Sequence, residues 1–450
     1  MPWVDDCNVS LLTDLYELTM DSSYHSQGLK SAATFDLFIR DLPPCRNFLV
    51  ACGLEQALDY LEALHFTEEA IAYLDSLELF PPDFLSYLSN LRFGGDVWAV
   101  AEGELIFASE PLLRVTAPFI EAQIAETFLL NCMTFQTMIA SKAARVSLAC
   151  GTRRFVDMSL RRDHGADAAL KGARAAYVAG AAATSNVLAG YLYGVPLSGT
   201  MAHSYVMALE DEVEAFRAYV SDFPHNAVLL IDTFDVLQGA RNAVKIAKEA
   251  TARGVKVRGV RIDSGDLAPL ARSVRAILDE SGLQDVEIVL SGDLDEYRIQ
   301  ALLDEDVPVD SFGVGTQLGT SADAPTLGGV YKLVADDRGP KIKLSAGKAT
   351  LPGCKQIYRF ERDGTFERDV IALHDEPSPG GRPLLSKVIN RGRRTKAREP
   401  IQAVRARCLS SLDKLPNRLR RLGAPAESYL VTRSDRLSAL VDIAQNELRA

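Results

Sequence analysis

The stretch between residues 228 and 316 constrains the fold most, because it repeats a strand and a helix at a nearly constant period. Apolar runs rich in β-branched residues end at Asp232, Asp263 and Asp293, which recur at intervals of 31 and 30 residues. A helical pattern follows each run, near 236–253, 267–282 and 294–304. This period is typical of the βα unit of a parallel sheet or barrel, so the sequence predicts such a sheet here.

The patterns on either side of this repeat are different. Residues 1–125 alternate helical and strand-like segments and predict an α+β domain, with an amphipathic helix in "GLEQALDYLEAL". The barrel is predicted over residues 126–345. Residues 346–450 continue a hairpin-like basic stretch, then give an Arg-rich helical tail that we expect to pack on the first domain.

The turns after the apolar runs carry the chemistry. In a β/α barrel the carboxyl ends of the strands share one rim, where active sites are built. Aspartate and glycine are also good turn and helix-cap residues, and for any single turn that interpretation is favoured; four consecutive polar turns weaken it. The rim suits a sugar phosphate with a divalent cation. Its residues are Asp232, Asp235, Asp263, Asp266, Asp293, Gly265, Gly292, Gly313 and Gly315.

Basic residues elsewhere could balance this negative charge. Arg161 and Arg162 stand in "DMSLRRDHG", Arg261 lies at a strand end, and Lys348 lies in "GKATLPG". The planar guanidinium fork binds a carboxylate or a phosphate through two hydrogen bonds. The chain has neither a "GxxxxGK[ST]" nor a strand-linked "GxGxxG" motif, which excludes an ordinary P-loop or Rossmann site.

Charge and composition narrow the binding partners and the cellular compartment that we expect for this chain. The net charge of −11 and a pI near 5.2 give no basic field for nucleic acid or an anionic membrane, and "NRGRRTKAREP" is interpreted as a solvated face. Seven cysteines without a CxxC pair predict reduced thiols. The N-terminus lacks a signal-peptide pattern and no apolar run reaches membrane-spanning length, so we expect a cytoplasmic protein.

His203, in "GTMAHSY", is by base rate more often a surface histidine at a strand end than a working group. Its neighbourhood, however, belongs to a series of motifs that resembles the nicotinate phosphoribosyltransferase family. Each motif is weak alone, but ten in the family's order are specific. They are "LLTDLYELTM", "RNFLVACGLEQAL", "LRRDHGADAALKGARAAYVAGAAATSNVLAG", "GTMAHSY", "LLIDTFD", "GVRIDSGDL", "SGDLDE", "FGVGT", "GGVYKLV" and "KATLPG".

The resemblance implies an α/β protein with an irregular β/α barrel and an α+β domain built from both chain ends. It implies a homodimer with active sites shared between the subunits. The implied reaction joins nicotinate to phosphoribosyl pyrophosphate and releases pyrophosphate and nicotinate mononucleotide. It is coupled to ATP hydrolysis through a phosphohistidine, which is His203, and uses Mg²⁺ held by substrate phosphates and Asp263.

The resemblance also implies roles for individual residues. Nicotinate would be held by Arg261 and Thr200, with Arg161 nearby and Tyr16 reaching across the dimer interface. Asp232 or Asp235 is our candidate for fixing the tautomer of the histidine. The ribose and phosphates would be held by Asp263, Asp293, Gly292, Arg162, Gly313, Gly315, Thr316, Lys348 and Thr350.

Two positions bear on the choice of base. Ser185 stands where related nicotinamide-using enzymes carry an aspartate, which would repel a carboxylate, so serine favours nicotinate. The family usually reads Asp-Phe-Gly before its arginine pair, whereas this chain reads Asp157, Met158, Ser159. Methionine covers an aromatic ring with less specific geometry. The alternatives are a phosphoribosyltransferase for another base and a catalytically silent relative that binds a nucleotide.

Overall fold

A computed structural model describes residues 4–343, 350–423 and 427–447. The chain forms two compact units, one made of Met1–Ser141 with Thr326–Ala450 and the other of Lys142–Pro325. Among the described residues, no helix has both the length and the apolar character that a membrane crossing requires. The division confirms that one α/β unit takes its residues from both ends of the chain.

The strands β1–β19 are, in chain order, Ala32–Ile39, Leu49–Val50, Asp96–Val100, Leu105–Ile106, Pro111–Pro118, Arg154–Asp157, Ala183–Thr184, Val228–Leu230, Gly259–Ile262, Glu287–Leu290, Ser311–Val314, Gly329–Asp336, Gly339–Pro340, Lys355–Arg362, Thr365–Leu373, Arg382–Pro383, Leu385–Asn390, Arg393–Arg394 and Leu430–Arg433. The α-helices α1–α17 are Leu15–Ser26, Leu54–Ala63, Glu68–Ser76, Pro82–Asn90, Phe119–Gln123, Glu126–Cys150, Ala166–Val178, Val187–Tyr193, His203–Ala208, Glu212–Asp222, Val236–Thr251, Leu267–Glu280, Glu296–Asp304, Thr316–Gly319, Ile401–Asp413, Asn417–Arg420 and Asp435–Glu447. Short 3₁₀ helices lie at Val9–Leu11 and Leu160–Arg162.

The unit built from both chain ends contains a seven-stranded sheet in the order β13-β12-β1-β5-β3-β17-β18. The C-terminal strand β17 pairs antiparallel with β3, and β12 pairs antiparallel with β1. β1 is buried along seven of its eight residues, because helices and a second sheet cover the apolar side chains on its faces. Strands β16, β14, β15 and β19 form a separate four-stranded sheet.

The basic stretch near residue 394 is neutralised within this unit. Arg394 makes ion pairs of 2.6 Å with Glu55, Asp59 and Glu62 on α2, which presents these carboxylates one turn apart. Arg398 also pairs with Asp59 at 2.6 Å. These contacts turn the side chains of the charged run towards an acidic helix.

The second unit contains a six-stranded sheet in the order β7-β6-β11-β10-β9-β8, in which all neighbours are parallel. The three helices predicted from the repeat are confirmed as α11, α12 and α13, with their ends shifted by up to two residues. The sheet ends at β7 and β8 rather than closing into a ring. This open parallel sheet confirms the βα repeat that the sequence predicted, and it agrees with the irregular barrel that the family resemblance implied.

Local chemistry explains where the helices of this unit begin. The carboxylates of Asp235 and Asp295 accept hydrogen bonds of 2.8 Å from the backbone N–H of Gln238 and Arg298, capping α11 and α13. Gly292 has φ +105°, and a Cβ at this position would lie 2.2 Å from the Asp263 carbonyl oxygen. Only glycine allows the β10 turn to approach the β9 turn this closely.

Candidate active site

A cavity of about 390 Å³ opens at the carboxyl ends of β6, β9, β10 and β11. This is the shared rim that parallel strands create. Ten of the eleven residues lining it were predicted from the sequence as rim or ligand-binding residues, and Ser291 is the exception. The lining residues are Met158, Arg161, Arg162, Arg261, Asp263, Ser291, Gly292, Asp293, Gly313, Gly315 and Thr316.

Arg261 is the centre of the hydrogen-bond network in this cavity. Its Nη1 donates to the Thr200 hydroxyl at 2.7 Å, and its Nε donates to the Ser291 hydroxyl at 3.1 Å. Its Nη2 lies 3.4 Å from Asp263 Oδ1. Three chain segments therefore fix the orientation of the guanidinium, whose remaining donor capacity faces the cavity.

Asp263 is held from both its side chain and its backbone. Its Oδ1 accepts a hydrogen bond of 2.5 Å from the Ser291 hydroxyl. Its backbone N–H donates to Asp232 Oδ2 at 3.0 Å, and the Ser264 hydroxyl donates to the same oxygen at 2.6 Å. Asp232 thus fixes the turn that follows β9. Among the described residues, its buried Oδ1 has no hydrogen-bond partner.

His203 is the first residue of the short helix α9. Its Nδ1 lies 3.2 Å from the Thr233 hydroxyl, and its Nε2 lies 4.0 Å from Asp263 Oδ2. The side chain is 41% exposed, so a reactant can reach the ring. When Nδ1–H donates to Thr233, Nε2 carries the free lone pair and faces the cavity carboxylate.

The partner of His203 differs from the sequence expectation. Asp232 or Asp235 was expected to fix the histidine tautomer, but the Asp235 carboxylate caps α11 and the Asp232 carboxylate holds the β9 turn. The hydroxyl of Thr233 and the carboxylate of Asp263 contact the ring instead. Both aspartates are strong local hydrogen-bond acceptors, and nearby backbone N–H groups already occupy them.

Asp293 lines the cavity from the turn that follows β10. It has a left-handed backbone with φ 52°, and Gln317 Nε2 donates to its Oδ1 at 3.3 Å. Arg298 Nη1 donates to its backbone carbonyl at 3.0 Å. Keeping a non-glycine residue in this conformation costs energy, so the surrounding contacts, rather than local preference, direct this carboxylate.

Met158 continues the parallel pairing beyond β6, because its N–H donates to the Val314 carbonyl at 2.8 Å. A Cβ on Gly313 would lie 2.7 Å from its sulfur, which places the thioether on the floor of the cavity. Ser185 is half-buried after β7, and its N–H donates to the Asp157 carbonyl at 2.9 Å. Ser185 is not one of the described residues that line the cavity.

The remaining predicted residues belong to the other unit. Tyr16 on α1 is 46% exposed, and partial burial together with the Glu126 carboxylate raises the pKa of its phenol. Thr350 is buried, and its hydroxyl accepts a hydrogen bond of 3.3 Å from the Lys343 N–H. Lys348 lies outside the described residues.

The carboxylates of the cavity are the candidate protein ligands for a divalent cation. No group of three or more His, Cys, Asp or Glu side chains that could hold a metal ion occurs in the described part of the chain. Mg²⁺ commonly takes only one or two protein carboxylates and completes its shell with substrate phosphates and water. Asp263 and Asp293, which both line the cavity, fit that pattern of donors.

Sequence reasoning did not identify Thr233, Ser291 or Gln317 as site residues. Thr233 follows Asp232 in "LLIDTFD", and Ser291 precedes Gly292 in "LSGDLDE". A hydroxyl directly beside a rim aspartate was therefore the available signal. Gln317 gave no such signal, since it reaches Asp293 from the next βα unit.

Comparisons with known proteins cover nearly the whole chain. Residues 11–134 match the model of the nicotinate phosphoribosyltransferase (NAPRTase) N-terminal domain, residues 151–335 that of the nicotinate phosphoribosyltransferase (NAPRTase) family, and residues 380–441 that of the nicotinate phosphoribosyltransferase C-terminal domain. These models cover both units.

Curated relatives and solved structures agree with these matches. A nicotinate phosphoribosyltransferase of Mycobacterium tuberculosis is 46% identical over 429 residues, covering 95% of this chain and 92% of the relative. The Bacillus subtilis nicotinate phosphoribosyltransferase is 44% identical over 381 residues, covering 82% and 77%. The crystal structure of human nicotinic acid phosphoribosyltransferase superposes with a TM-score of 0.86 at 30% identity, covering 96% and 99%.

Proposed function

This chain belongs to the nicotinate phosphoribosyltransferase family, and we propose that it joins nicotinate to phosphoribosyl pyrophosphate, with ATP hydrolysis coupled through a phosphohistidine at His203. The products are nicotinate mononucleotide and pyrophosphate. The observation that carries the proposal is the network in which Arg261 contacts Thr200, Ser291 and Asp263, because Asp263 also faces His203. This network connects the residues proposed to hold the base and the ribose, and the proposed nucleophile lies 4.0 Å from its Asp263 carboxylate.

Nicotinate binding rests on Arg261. The guanidinium offers a planar fork to the carboxylate of nicotinate and a flat cation to the pyridine ring. Thr200 and Arg161 support the same end of the cavity, and the Met158 thioether covers the ring. Ser185 contributes by not placing a negative charge near the substrate carboxylate.

Phosphoribosyl pyrophosphate binding rests on the rim turns. Gly313, Gly315 and Thr316 present backbone N–H groups and a hydroxyl to the 5′-phosphate, with Arg162 as counter-charge. Asp263 and Asp293 accept hydrogen bonds from the ribose hydroxyls, and Gly292 lets their turns approach. The family resemblance also implies a phosphate-binding role for Thr350 and Lys348, and this role stays a prediction.

The ribosyl transfer places specific demands on these groups. As the bond to pyrophosphate breaks, positive charge develops on the ribose, and the carboxylates of Asp263 and Asp293 stabilise it. The nicotinate ring nitrogen attacks the anomeric carbon from the position at which Arg261 holds it. Asp263, together with the substrate phosphates, would hold Mg²⁺, which would supply positive charge to offset that of the leaving pyrophosphate.

The coupling step uses His203. Its Nε2 lone pair forms a bond to the γ-phosphorus of ATP while the bond from that phosphorus to the bridging oxygen breaks and ADP leaves. In the tautomer in which Nδ1–H donates to the Thr233 hydroxyl, Nε2 is free to react, and Asp263 stabilises the imidazole as it gains positive charge. Water then discharges the phosphohistidine within the same turnover.

Incubation with ATP labelled at the γ-phosphate tests the coupling step. We expect an acid-labile, base-stable label on the wild type and none on the His203→Ala variant. His225→Ala is the matched control, since His225 is exposed and does not line the cavity, and it should label like the wild type. A label that persists in His203→Ala would remove His203 from the nucleophile role.

The second candidate function is phosphoribosyl transfer to a different base, which Met158 in place of phenylalanine favours. Steady-state assays with nicotinate, nicotinamide, quinolinate and other azine acids separate the two. The leading proposal requires the highest kcat/KM for nicotinate. Higher activity on another base would support the second candidate, and nucleotide binding without turnover on any base would indicate a catalytically silent relative.

We also propose a cytoplasmic homodimer with shared active sites, in which Tyr16 of the partner subunit covers the nicotinate ring. Exposed apolar side chains around α8 and near the cavity support this assembly, because such a patch is costly in water. They are Val187, Leu188, Tyr191, Leu192, Leu197, Met207 and Phe234. The seven cysteines are free thiols, which is consistent with a reducing compartment. Light scattering of the wild type and of Tyr191→Asp tests the dimer.

A further inference from the structure

Two of the three arginines that line the cavity, Arg161 and Arg162, sit on one short turn, the 3₁₀ helix Leu160–Arg162. A side-chain hydrogen bond closes this turn from its two ends. The Ser159 hydroxyl, just before it, donates to Asp163 Oδ2, just after it, at 3.0 Å. The backbone N–H of Arg162 also donates to the Ser159 carbonyl at 2.6 Å. The side chains of Arg161 and Arg162 are exposed. The hydrogen-bonded pair of Ser159 and Asp163 therefore fixes the backbone that carries them.

Ser159, the first member of the Ser159–Asp163 pair, is held in place by the parallel sheet. The N–H of Ser159 donates to Asp157 Oδ1 at 3.0 Å, and the Thr184 hydroxyl donates to Asp157 Oδ2 at 2.7 Å. Asp157 and Ser159 are both buried. The position of Ser159 is therefore set by two neighbouring strands, β6 and β7, rather than by the turn itself.

The other end of the pair is pressed against α14, which begins at Thr316 in the cavity and ends at Gly319. A Cβ on Gly319 would lie 1.7 Å from Asp163 Oδ1 and 2.5 Å from the Ser159 Cβ. The pair thus fills the space between the arginine turn and the helix of the expected 5′-phosphate loop. Any residue larger than glycine at position 319 would push the arginine turn and α14 apart.

The Asp163 carboxyl is kept in this space at an energetic cost. Its Oδ1 is buried and makes no hydrogen bond within the described residues, and burial raises its pKa to about 6. A buried polar atom without a partner lowers stability. The family pattern has glycine where this chain has Ser159, and glycine cannot make the bond to Asp163.

We propose that Ser159 and Asp163 act as one positioning unit, which holds the Arg161–Arg162 turn against α14 and sets the affinity for phosphoribosyl pyrophosphate. This inference rests on the proposed function, since it names the substrate whose phosphates the arginines bind. Arginine side chains lose less conformational entropy on binding when their backbone is fixed in advance. Neither Ser159 nor Asp163 needs to touch the substrate.

The test compares Ser159→Ala, Asp163→Ala, Asp163→Asn and the Ser159→Ala/Asp163→Ala double variant. Calorimetric titration with phosphoribosyl pyrophosphate should show binding weakened about tenfold in each alanine variant, as expected for a lost hydrogen bond to a charged group. The double variant should bind no more weakly than either single variant, because both remove the same unit. Asparagine keeps an acceptor of the same shape, so Asp163→Asn should stay within about threefold of the wild type.

Steady-state kinetics distinguish positioning from general damage. The alanine variants should raise the KM for phosphoribosyl pyrophosphate while the KM for nicotinate and kcat stay within about twofold. Asp211→Ala is the matched control, because it removes an aspartate that caps α10 through the Glu214 N–H and does not line the cavity. This control should lower thermal stability and leave phosphoribosyl pyrophosphate binding unchanged.

Several outcomes would overturn the inference. Unchanged affinity in Ser159→Ala and Asp163→Ala would do so, as would additive losses in the double variant or a parallel loss of nicotinate affinity and kcat. Wild-type binding of phosphoribosyl pyrophosphate without turnover of nicotinate would contradict the proposed function alone, since the calorimetric comparison would still decide the inference. No binding by the wild type would overturn both.

Discussion

An arginine–aspartate pair lies at a central position in each unit, and the two pairs differ in what surrounds them. In the unit built from both chain ends, Arg359 Nη2 lies 2.6 Å from Asp369 Oδ2, and both side chains are fully buried. In the parallel-sheet unit, Arg261 Nη2 lies 3.4 Å from Asp263 Oδ1, with side chains 12% and 31% exposed. The first pair is closed to solvent and the second opens into a cavity.

The difference teaches how the same residue types serve structure or function. Arg359 binds Asp369 through Nε and Nη2, and the Tyr429 hydroxyl donates to the same carboxylate, so the charges are satisfied by each other. Arg261 is held instead by neutral hydroxyls from Thr200 and Ser291. These neutral partners fix its direction, and because its contact with Asp263 is longer than the contact of Arg359 with Asp369, more of its positive charge is left for an anionic substrate.

The largest effect on stability is expected at the closed pair. Arg359→Ala leaves Asp369 buried without its counter-charge and should lower the free energy of unfolding by about 3–5 kcal/mol, measured by urea denaturation. Arg368→Ala is the matched control from the next strand, where the ion pair with Glu367 is only half-buried, and should cost about 1 kcal/mol. Equal losses would mean that burial does not distinguish the two arginines.

The reverse is expected at the open pair. Arg261→Ala should lower kcat/KM for nicotinate by about 10²–10³-fold, because it removes a fixed cation from the reacting base, while the melting temperature changes little. Arg258→Ala, at the other end of the same strand and paired with Glu287 at 3.5 Å, should leave kcat/KM unchanged. A stability loss at Arg261 as large as that at Arg359 would contradict the comparison.

A third test, in the unit built from both chain ends, uses Asp21, which is buried without a counter-charge in the described part of the chain and should make the free energy of unfolding depend on pH. Both carboxylate oxygens of Asp21 are buried without a hydrogen-bond partner among the described residues, and burial raises its pKa to about 9. The folded protein therefore keeps a proton that the unfolded chain has released above about pH 4, and stability falls as pH rises towards 9. The expected slope near neutral pH is about 1.4 kcal/mol per pH unit for this proton.

The asparagine in the Asp21→Asn variant cannot titrate, so the variant should lose the part of the pH dependence of stability that Asp21 contributes. Urea denaturation at pH 6, 7 and 8 should give a weaker decline for the variant than for the wild type. Burial also raises the pKa of Glu17 to about 7, and this second acid keeps some pH dependence in both proteins. Parallel curves for the two proteins would show that Asp21 is ionised in the folded state.

The smallest predicted effect concerns the tautomer of His203. Thr233→Ala removes the hydroxyl on Nδ1 and should slow formation of the phosphohistidine about fivefold, measured by rapid quench with labelled ATP. Thr251→Ala is a suitable control, because its hydroxyl donates only to the Ala247 carbonyl of its own helix. An unchanged rate in Thr233→Ala would leave Asp263 as the sole group that orients the ring.

The regular repeat of the parallel sheet made its elements predictable from sequence, since strand, turn and helix follow one another locally. The cavity lining from Arg261 to Thr316 followed from the same repeat, because parallel strands end on one rim. The pairing of β3 with β17 could not be predicted, because it joins segments almost 300 residues apart. The roles of Asp232 and Asp235 could not be predicted either, because they depend on which backbone N–H groups lie nearby in the folded chain.

The most direct test of the central claim is the product balance with carboxyl-labelled nicotinate, phosphoribosyl pyrophosphate, Mg²⁺ and ATP. The account predicts labelled nicotinate mononucleotide in equal amount to the pyrophosphate released, and neither product from Arg261→Ala over the same time. Pyrophosphate release without labelled nucleotide, or equal nucleotide formation by Arg261→Ala, would contradict it.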